Sequence, residues 1–143
     1  WSSDVCSSDL GGDVECACAI IDKITEIGKK VVVETIVCGK AHSAAALILM
    51  AAENRSAYPN SSIMFHPCHY GLSDYHDQNR AYVEFTEATY PKLMRFVTEQ
   101  ARMGKRQAKT FIDKSKVGLW LTAEEAKSDK IIREIIGENT VQE

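Results

Sequence analysis

A buried strand that passes directly into a buried helix is the feature of this sequence that most constrains its fold. Residues 31–38 are rich in β-branched side chains and too short to span a membrane, which predicts a core strand. Residues 39–42 are expected to end that strand. From Ser43 to Ala52 the chain is rich in alanine and leucine and lacks Gly and Pro, which predicts a helix buried on most sides. The sequence therefore predicts an α/β fold.

Ser43 occupies the first turn of the predicted helix. At that position the backbone N–H groups lack partners within the helix, and the helix dipole has its positive end. Both features can stabilise an oxyanion that forms next to a nucleophile. His66 ends another short apolar strand, predicted at residues 62–66 and stopped by Pro67. A serine hydroxyl needs an adjacent base before it can attack, so the two residues favour a hydrolase. Taken alone, a serine at a helix start is more often a cap.

Composition narrows the class of protein. The chain has 143 residues and is 45% hydrophobic, which is enough for one domain with a sizeable core. Its formal charge of −3 shows no basic excess, so nucleic acid is not an expected partner. The sequence has neither an apolar run of membrane-spanning length nor a signal peptide, so we expect a cytoplasmic protein without a membrane partner. No metal-binding spacing and no cofactor motif is found.

Residues 1–10 do not belong to the pattern that follows. They repeat Ser-Ser-Asp, fit neither helical nor strand periodicity, and resemble adapter-derived translation at the ends of some assembled reading frames. We expect them to be a non-native tag, with residues 11–143 forming a single, N-terminally truncated domain. A glycine pair such as Gly11-Gly12 usually follows a strand, and no strand is predicted before this one.

Helical periodicity dominates the rest of the chain. The predicted elements are a helix from Val14 to Gly28, a loop over residues 67–79, a long helix from Gln78 to Met103, a shorter helix from Lys105 to Lys114, a helix opened by a capping box at residues 122–125, and a strand or helix over residues 131–136. Pro91 should kink or break the long helix, because its ring removes a backbone hydrogen bond and clashes with the preceding turn.

Four segments, in order, resemble the proteolytic subunit of the Clp protease. They are residues 11–22, 38–45, 58–66 and 120–126, and the resemblance runs from Gly11 to about Ile136. It implies an α/β, ClpP/crotonase-like fold of repeated β-α units with a protruding handle helix, here with its N-terminal strands missing. The loop sequences are more similar to a phage or divergent branch than to a housekeeping enzyme.

The resemblance also implies an activity. It is that of an ATP-dependent serine endopeptidase that hydrolyses unfolded polypeptides through an acyl-enzyme on Ser43, with His66 as general base. The backbone N–H groups of Gly12 and Ala44 would form the oxyanion hole. The implied partners are peptide substrates, identical subunits in a heptameric or double-heptameric ring, and an AAA+ unfoldase.

The third member of the catalytic triad departs from the family. The family has an aspartate two residues before the aromatic residue that here is Trp120, and that position is Gly118. Asp113, Asp129 or a backbone carbonyl are the candidates to orient His66 instead. His42 is interpreted as a structural or substrate-groove residue, and a Ser-Lys dyad with Lys40 ranks below Ser43 and His66.

Two other functions stay open at this point. One is a catalytically impaired ClpP-like structural subunit, which Gly118 favours. The other is a crotonase-type enzyme acting on an acyl-CoA thioester, although that class relies on glutamates and no nucleotide-pocket motif is found.

Overall fold

The computed structural model describes residues 4–67 and 76–138. Within them the chain forms a mixed α/β fold around one six-stranded sheet, which confirms the expected fold class. The elements, in chain order, are β1 (Asp4–Asp9), α1 (Val14–Gly28), β2 (Glu34–His42), α2 (Ala44–Leu49), β3 (Asn54–Ala57), β4 (Ser62–Phe65), α3 (His76–Gln100), α4 (Lys105–Ser115), β5 (Leu119–Thr122), α5 (Ala123–Ser128) and β6 (Glu134–Ile135).

Strand β2 is the centre of the sheet. It pairs in parallel with β1, and it also pairs with β3 through residues 34–37 and with β4 through residues 40–42. The sheet continues from β3 to β6 in parallel and from β4 to β5 in antiparallel orientation. Both β2 and β4 therefore end at the same edge of the sheet, where Ser43 and His66 follow them.

The change of partner along β2 occurs at Gly39. Its φ of 92° is a left-handed conformation that favours glycine. The hydroxyl of Ser61 accepts the N–H of Gly39 at 3.2 Å and donates to the carbonyl of Val37 at 2.9 Å. Ser61 thus satisfies the strand's backbone groups where β3 has ended and β4 has not begun. Residues 39–42, which were expected to end the strand, instead continue it to His42; that prediction was wrong.

The prediction that no strand precedes Gly11 was also wrong. Residues 4–7 pair with residues 34–37 of β2, and Asp9 pairs with Ala41 after a shift in register. Strands pair through hydrogen bonds between backbone groups, so a segment without alternating hydrophobic residues can still form a strand of the sheet. The expectation that residues 1–10 are a non-native tag stays a prediction.

Helix α2 lies in the core, as its alanine-rich sequence predicts. It ends at Leu49 rather than Ala52, and most of its side chains are buried. The C-terminal half of α3 packs over the same core through Met94 and Val97. Helix α3 runs through Pro91 as one element, so the helix is not broken there. The ambiguous segment 131–136 contributes strand β6.

Among the residues whose burial is described, Arg55 on β3 has the largest fully buried side chain, with 1% of its surface exposed. Its guanidinium donates only to backbone carbonyls among the described residues, at distances of 2.6–3.4 Å; the acceptors belong to Ala52, Glu53, Gln100, Lys130 and Ile131. Burial, more than any neighbouring charge, lowers the pKa of Arg55 to about 10, so the side chain is still charged at neutral pH. The guanidinium of Arg55 therefore connects, through hydrogen bonds, the end of α3 with the segments next to β3 and β6.

None of the helices in the described ranges is both long and apolar enough to cross a bilayer.

Candidate active site

Ser43 lies at a strained turn between β2 and α2. Its φ of 57° and ψ of −122° are unusual for a residue with a side chain. The turn is fixed by its backbone: the N–H of Ser43 donates to the carbonyl of Met64 at 2.8 Å, and its carbonyl accepts from Ala46 at 3.0 Å. The hydroxyl makes no capping hydrogen bond to α2. The helix-cap interpretation of this serine is therefore not what the structure shows.

Helix α2 has only six residues. The dipole of so short a helix is smaller than the sequence interpretation assumed, since the macrodipole sums over aligned peptide units. Any oxyanion stabilisation at Ser43 would depend on individual backbone N–H groups. Ala44, which follows Ser43 directly, supplies one such group.

Gly11 packs against the Ser43 turn, a contact that the sequence analysis missed. It has a φ of 97°, and an added Cβ would lie 2.7 Å from both the carbonyl oxygen of His42 and the Cβ of Ser43. At Gly12 an added Cβ would meet nothing within 4 Å. The close backbone approach thus falls on the first glycine of the pair, whereas the space beside Gly12 is open. The glycine pair was the available signal, but it did not show which member makes the contact.

Gly11→Ala is expected to lower the free energy of unfolding by more than about 1 kcal/mol, because the substitution adds a steric clash to an unfavourable φ. Gly28→Ala is the matched control. Gly28 ends α1 with open space around an added Cβ, so that change should be neutral or stabilise by up to about 1 kcal/mol. Urea denaturation of both variants measures the difference. Equal stabilities would contradict the close approach at Gly11.

The sheet brings Ser43 and His66 to one cavity. His42 on β2 pairs with Met64 on β4, and the carbonyl of Met64 accepts the N–H of Ser43. His66 lies two residues after Met64 and is therefore close to the Ser43 turn. Both residues line a cavity of about 20 Å³. This volume is about enough for a single water molecule. The other lining residues are Val14, Ala44, Leu47, Phe65, Tyr90, Leu93 and Met94.

Gly118 lies near His66, just outside the pairing of two strands. Strands β4 and β5 pair Met64 with Trp120 and Phe65 with Leu119, and His66 and Gly118 are the residues that adjoin the last of these pairs. Both residues line a second cavity, of about 350 Å³. The Nδ1 atom of His66 is shielded from solvent. The position at which the resemblance implies an aspartate therefore shares a cavity with His66.

A profile of the Clp protease family matches residues 7–139. This chain belongs to the Clp protease family. The match confirms the resemblance found in the sequence, and it makes the chain a ClpP-type peptidase in general terms. No curated protein matches the chain significantly.

The two aspartates considered as substitutes lie elsewhere in this Clp-family chain. Asp113 is exposed and accepts from Nζ of Lys116 at 2.9 Å, a hydrogen bond that lowers the pKa of its carboxyl. Asp129 accepts from Nε2 of Gln107 at 3.3 Å. Neither lines the cavity that His66 and Gly118 share. The identity of the third residue stays a prediction.

His42 is engaged in packing rather than directed at Ser43. Its Nε2 lies 2.8 Å from the hydroxyl of Ser62, and its ring meets Trp120 edge-on with 4.9 Å between centroids. Burial, and secondarily the charge of Lys40, lowers the pKa of His42. These contacts agree with the structural role expected for His42. Lys40 is not among the residues that line the Ser43 cavity.

Proposed function

We propose that this protein is a serine endopeptidase of the Clp type that hydrolyses peptide bonds in unfolded polypeptides through an acyl-enzyme on Ser43. The observation that carries the proposal is the Ser43 turn. Its backbone is strained, its hydroxyl is not used as a helix cap, and it opens on the cavity that contains His66. A serine held on a sharp strand-to-helix turn is a recurrent arrangement for an exposed nucleophile.

In the proposed mechanism, His66 takes the proton of the Ser43 hydroxyl as the oxygen attacks the scissile carbonyl carbon. The backbone N–H groups of Gly12 and Ala44 stabilise the resulting oxyanion. The protonated His66 then gives its proton to the leaving amine. Water, activated by the same imidazole, hydrolyses the acyl-enzyme and restores Ser43.

The walls of the Ser43 cavity support this chemistry. Apolar side chains such as Val14, Leu47 and Met94 contribute to the lining. They limit the water around the serine and histidine, and electrostatic interactions in such a site are stronger than in bulk solvent. The arrangement favours proton transfer between the two side chains over exchange with solvent.

We further propose that the protein works as a homo-oligomeric ring, a heptamer or double heptamer, with an AAA+ unfoldase in the cytoplasm. The support from this chain is its exposed apolar surface. Tyr82 and Phe85 on α3 are 50% and 53% exposed, and Ile20 and Ile27 on α1 are 44% and 46% exposed. Large apolar side chains in such numbers are typical of surfaces that another subunit covers.

A fluorophosphonate probe tests the nucleophile. The full-length, assembled protein should be labelled, and Ser43→Ala should lose labelling completely because the attacking oxygen is gone. Ser128→Ala is the matched control, since Ser128 is exposed at the end of α5, and it should label like the wild type. An intact assembly that resists the probe, or a Ser43→Ala variant that still reacts, would contradict the proposal.

The second candidate is a catalytically impaired structural subunit. Gly118 is the observation that favours it, because the residue that shares the second cavity with His66 has no side chain to accept a hydrogen bond. Substitution at this position separates the two candidates, as described in the Discussion. Nothing in the described residues specifically favours the acyl-CoA alternative.

A further inference from the structure

A groove of about 390 Å³ lies between α1 and α3. Its lining residues are 13–15, 18, 19 and 22 on one side and 82, 85, 86 and 89 on the other. Val14 lines both this α1–α3 groove and the Ser43 cavity, so the two adjoin. We propose that the α1–α3 groove is a specificity site, which binds a lysine or arginine side chain of the peptide substrate. This inference deepens the proposed function and rests on it, since it names a substrate class for the same active site.

Apolar side chains form part of both walls of the α1–α3 groove. Val14 and Ala19 lie on α1, and the rings of Tyr82 and Phe85, each about half exposed, lie on α3. A lysine or arginine side chain can pack its alkyl stem against such a surface while its charged end stays in water. An aromatic ring also attracts a cation that lies over its face. The walls therefore suit a long side chain that is apolar along its length and positive at its end.

The charge of the lining selects the sign of the ligand. Asp13, Glu15 and Asp22 line the groove, and none of the described lining residues is Lys, Arg or His. The three carboxylates form no ion pair with a described residue. Asp13 accepts the N–H of Cys16 at 2.8 Å, a hydrogen bond that lowers the pKa of its carboxyl. A cation in the groove would therefore meet three acidic side chains and no basic one.

The threonines of α3 favour the same sign. The hydroxyl of Thr86 donates to backbone carbonyls of its own helix at 2.9–3.0 Å, and the hydroxyl of Thr89 does so at 2.8 Å. A hydroxyl has one hydrogen to donate and two lone pairs with which to accept, so these two groups can only accept from a ligand. Ammonium and guanidinium groups donate hydrogen bonds and accept none. Both helices thus offer acceptors to the same ligand.

Cys18 responds to the negative charge of the groove. It lines the groove and is partly buried. Burial first, and then the three carboxylates, raise the pKa of its thiol. The carboxylates are therefore close enough to act on a group inside the groove. The thiol also provides a position for chemical labelling that does not depend on catalysis.

Paired fluorogenic peptides test the specificity. Each pair carries lysine or acetyl-lysine at one position near the scissile bond, so that the positive charge is the main difference, and every position is tested in turn. At one position or more, the lysine peptide should have a KM lower by about threefold to tenfold with kcat unchanged, because exposed ion pairs are individually weak and act here on binding alone. The full-length, assembled protein is used, since Tyr82 and Phe85 also belong to the surface that we propose another subunit covers.

Glu15→Gln combined with Asp22→Asn should remove most of the preference for lysine. Glu87→Gln combined with Glu99→Gln is the matched control, because it removes the same charge from exposed residues that neither line the groove nor form an ion pair with a described residue. The control should keep the preference of the wild type. A preference that survived the first variant unchanged would overturn the assignment of the groove.

Labelling of Cys18 separates binding from catalysis. In Ser43→Ala, modification of Cys18 by a cationic and by an anionic methanethiosulfonate is followed by mass spectrometry. The cationic reagent should react faster by about tenfold or more, and this ratio should fall in Glu15→Gln combined with Asp22→Asn. The added substitutions also change the pKa of the thiol, but that change affects both reagents alike and cancels in the ratio. A lysine peptide should slow the labelling more than its acetyl-lysine counterpart does.

The outcomes distinguish the groove from the proposed function. Protection of Cys18 by lysine peptides in a protein that cleaves nothing would support the groove, and only the proposed function would fail. A peptidase that treats lysine and acetyl-lysine alike at every position, with equal protection of Cys18, would overturn the groove and leave the proposed function in place. If Cys18 reacted only after the assembly was dissociated, another subunit would cover the groove, and the inference would also be overturned.

Discussion

Gly118→Asp is expected to raise peptidase turnover by up to about 10⁴-fold, the factor by which a serine protease slows when its triad aspartate becomes asparagine. His66 and Gly118 line the same cavity, and an aspartate at position 118 would hold the imidazole in one tautomer and stabilise its protonated form. Initial rates on a saturating fluorogenic peptide, with the assembled protein, measure the effect.

Gly118→Asn and Gly118→Ala are the controls for this prediction. Gly118 has a φ of 93°, so any side chain there costs about 1–2 kcal/mol of stability. Asparagine and alanine share that cost without the negative charge, and asparagine also shares the shape of aspartate. If the aspartate and asparagine variants turned over at the same rate, either another group would orient His66 or the subunit would be structural.

Arg55→Met is expected to lower the free energy of unfolding by about 3 kcal/mol or more, the largest stability effect we predict. The substitution leaves buried carbonyls without their donor, and each unsatisfied buried group costs about 1–3 kcal/mol. Arg55→Lys should recover only part of the loss, because an ammonium cannot reproduce the directions of the guanidinium fork. Urea denaturation followed by circular dichroism measures both variants.

Arg102→Met provides the comparison for Arg55. Arg102 binds Glu53 at 2.7 Å, but its side chain is 69% exposed, so its loss should cost no more than about 1 kcal/mol. An Arg55→Met variant as stable as Arg102→Met would mean that the carbonyls around β3 find other donors. The contrast tests whether burial, rather than arginine content, determines the stabilisation.

Local signals in the sequence predicted the elements that depend on side-chain chemistry. The capping box is complete: the hydroxyl of Thr122 accepts from the N–H of Glu125 at 3.2 Å, and the carboxylate of Glu125 accepts from the N–H of Thr122 at 2.9 Å. The apolar helix after Ser43 and the short strand before His66 were also predicted. Each depends on residues close together in sequence.

Elements that depend on distant partners were missed. Strand β5 is stabilised by its antiparallel pairing with β4, and β3 by its pairing with β2 and β6. Strand β3 has the sequence Asn-Arg-Ser-Ala, which lacks the apolar run of β4 and does not indicate a strand when the partner is unknown. The same reason explains why the sequence did not show that β2 continues past Gly39, since the hydroxyl that compensates there belongs to Ser61.

The candidate site shows the same division. The sequence indicated Ser43 and His66 as candidates because a serine begins the predicted helix, a histidine ends a predicted strand and the family motif marks both, and Gly118 was recognised as a departure by counting from Trp120. The contact of Gly11 with the Ser43 turn could not be predicted from the sequence, because it depends on a backbone angle and on the approach of a second segment.

Strand β4 has only four residues, yet both flanks of the site are aligned to it. On one side the carbonyl of Met64 holds the Ser43 turn, and on the other side β4 pairs with β5, which begins directly after Gly118. The two contacts use different neighbours, so we expect that residue 118 can change while Ser43 and His66 stay in position. In evolutionary terms, the proposed activity would then be lost or regained through one residue, without a rearrangement of the turn that holds Ser43.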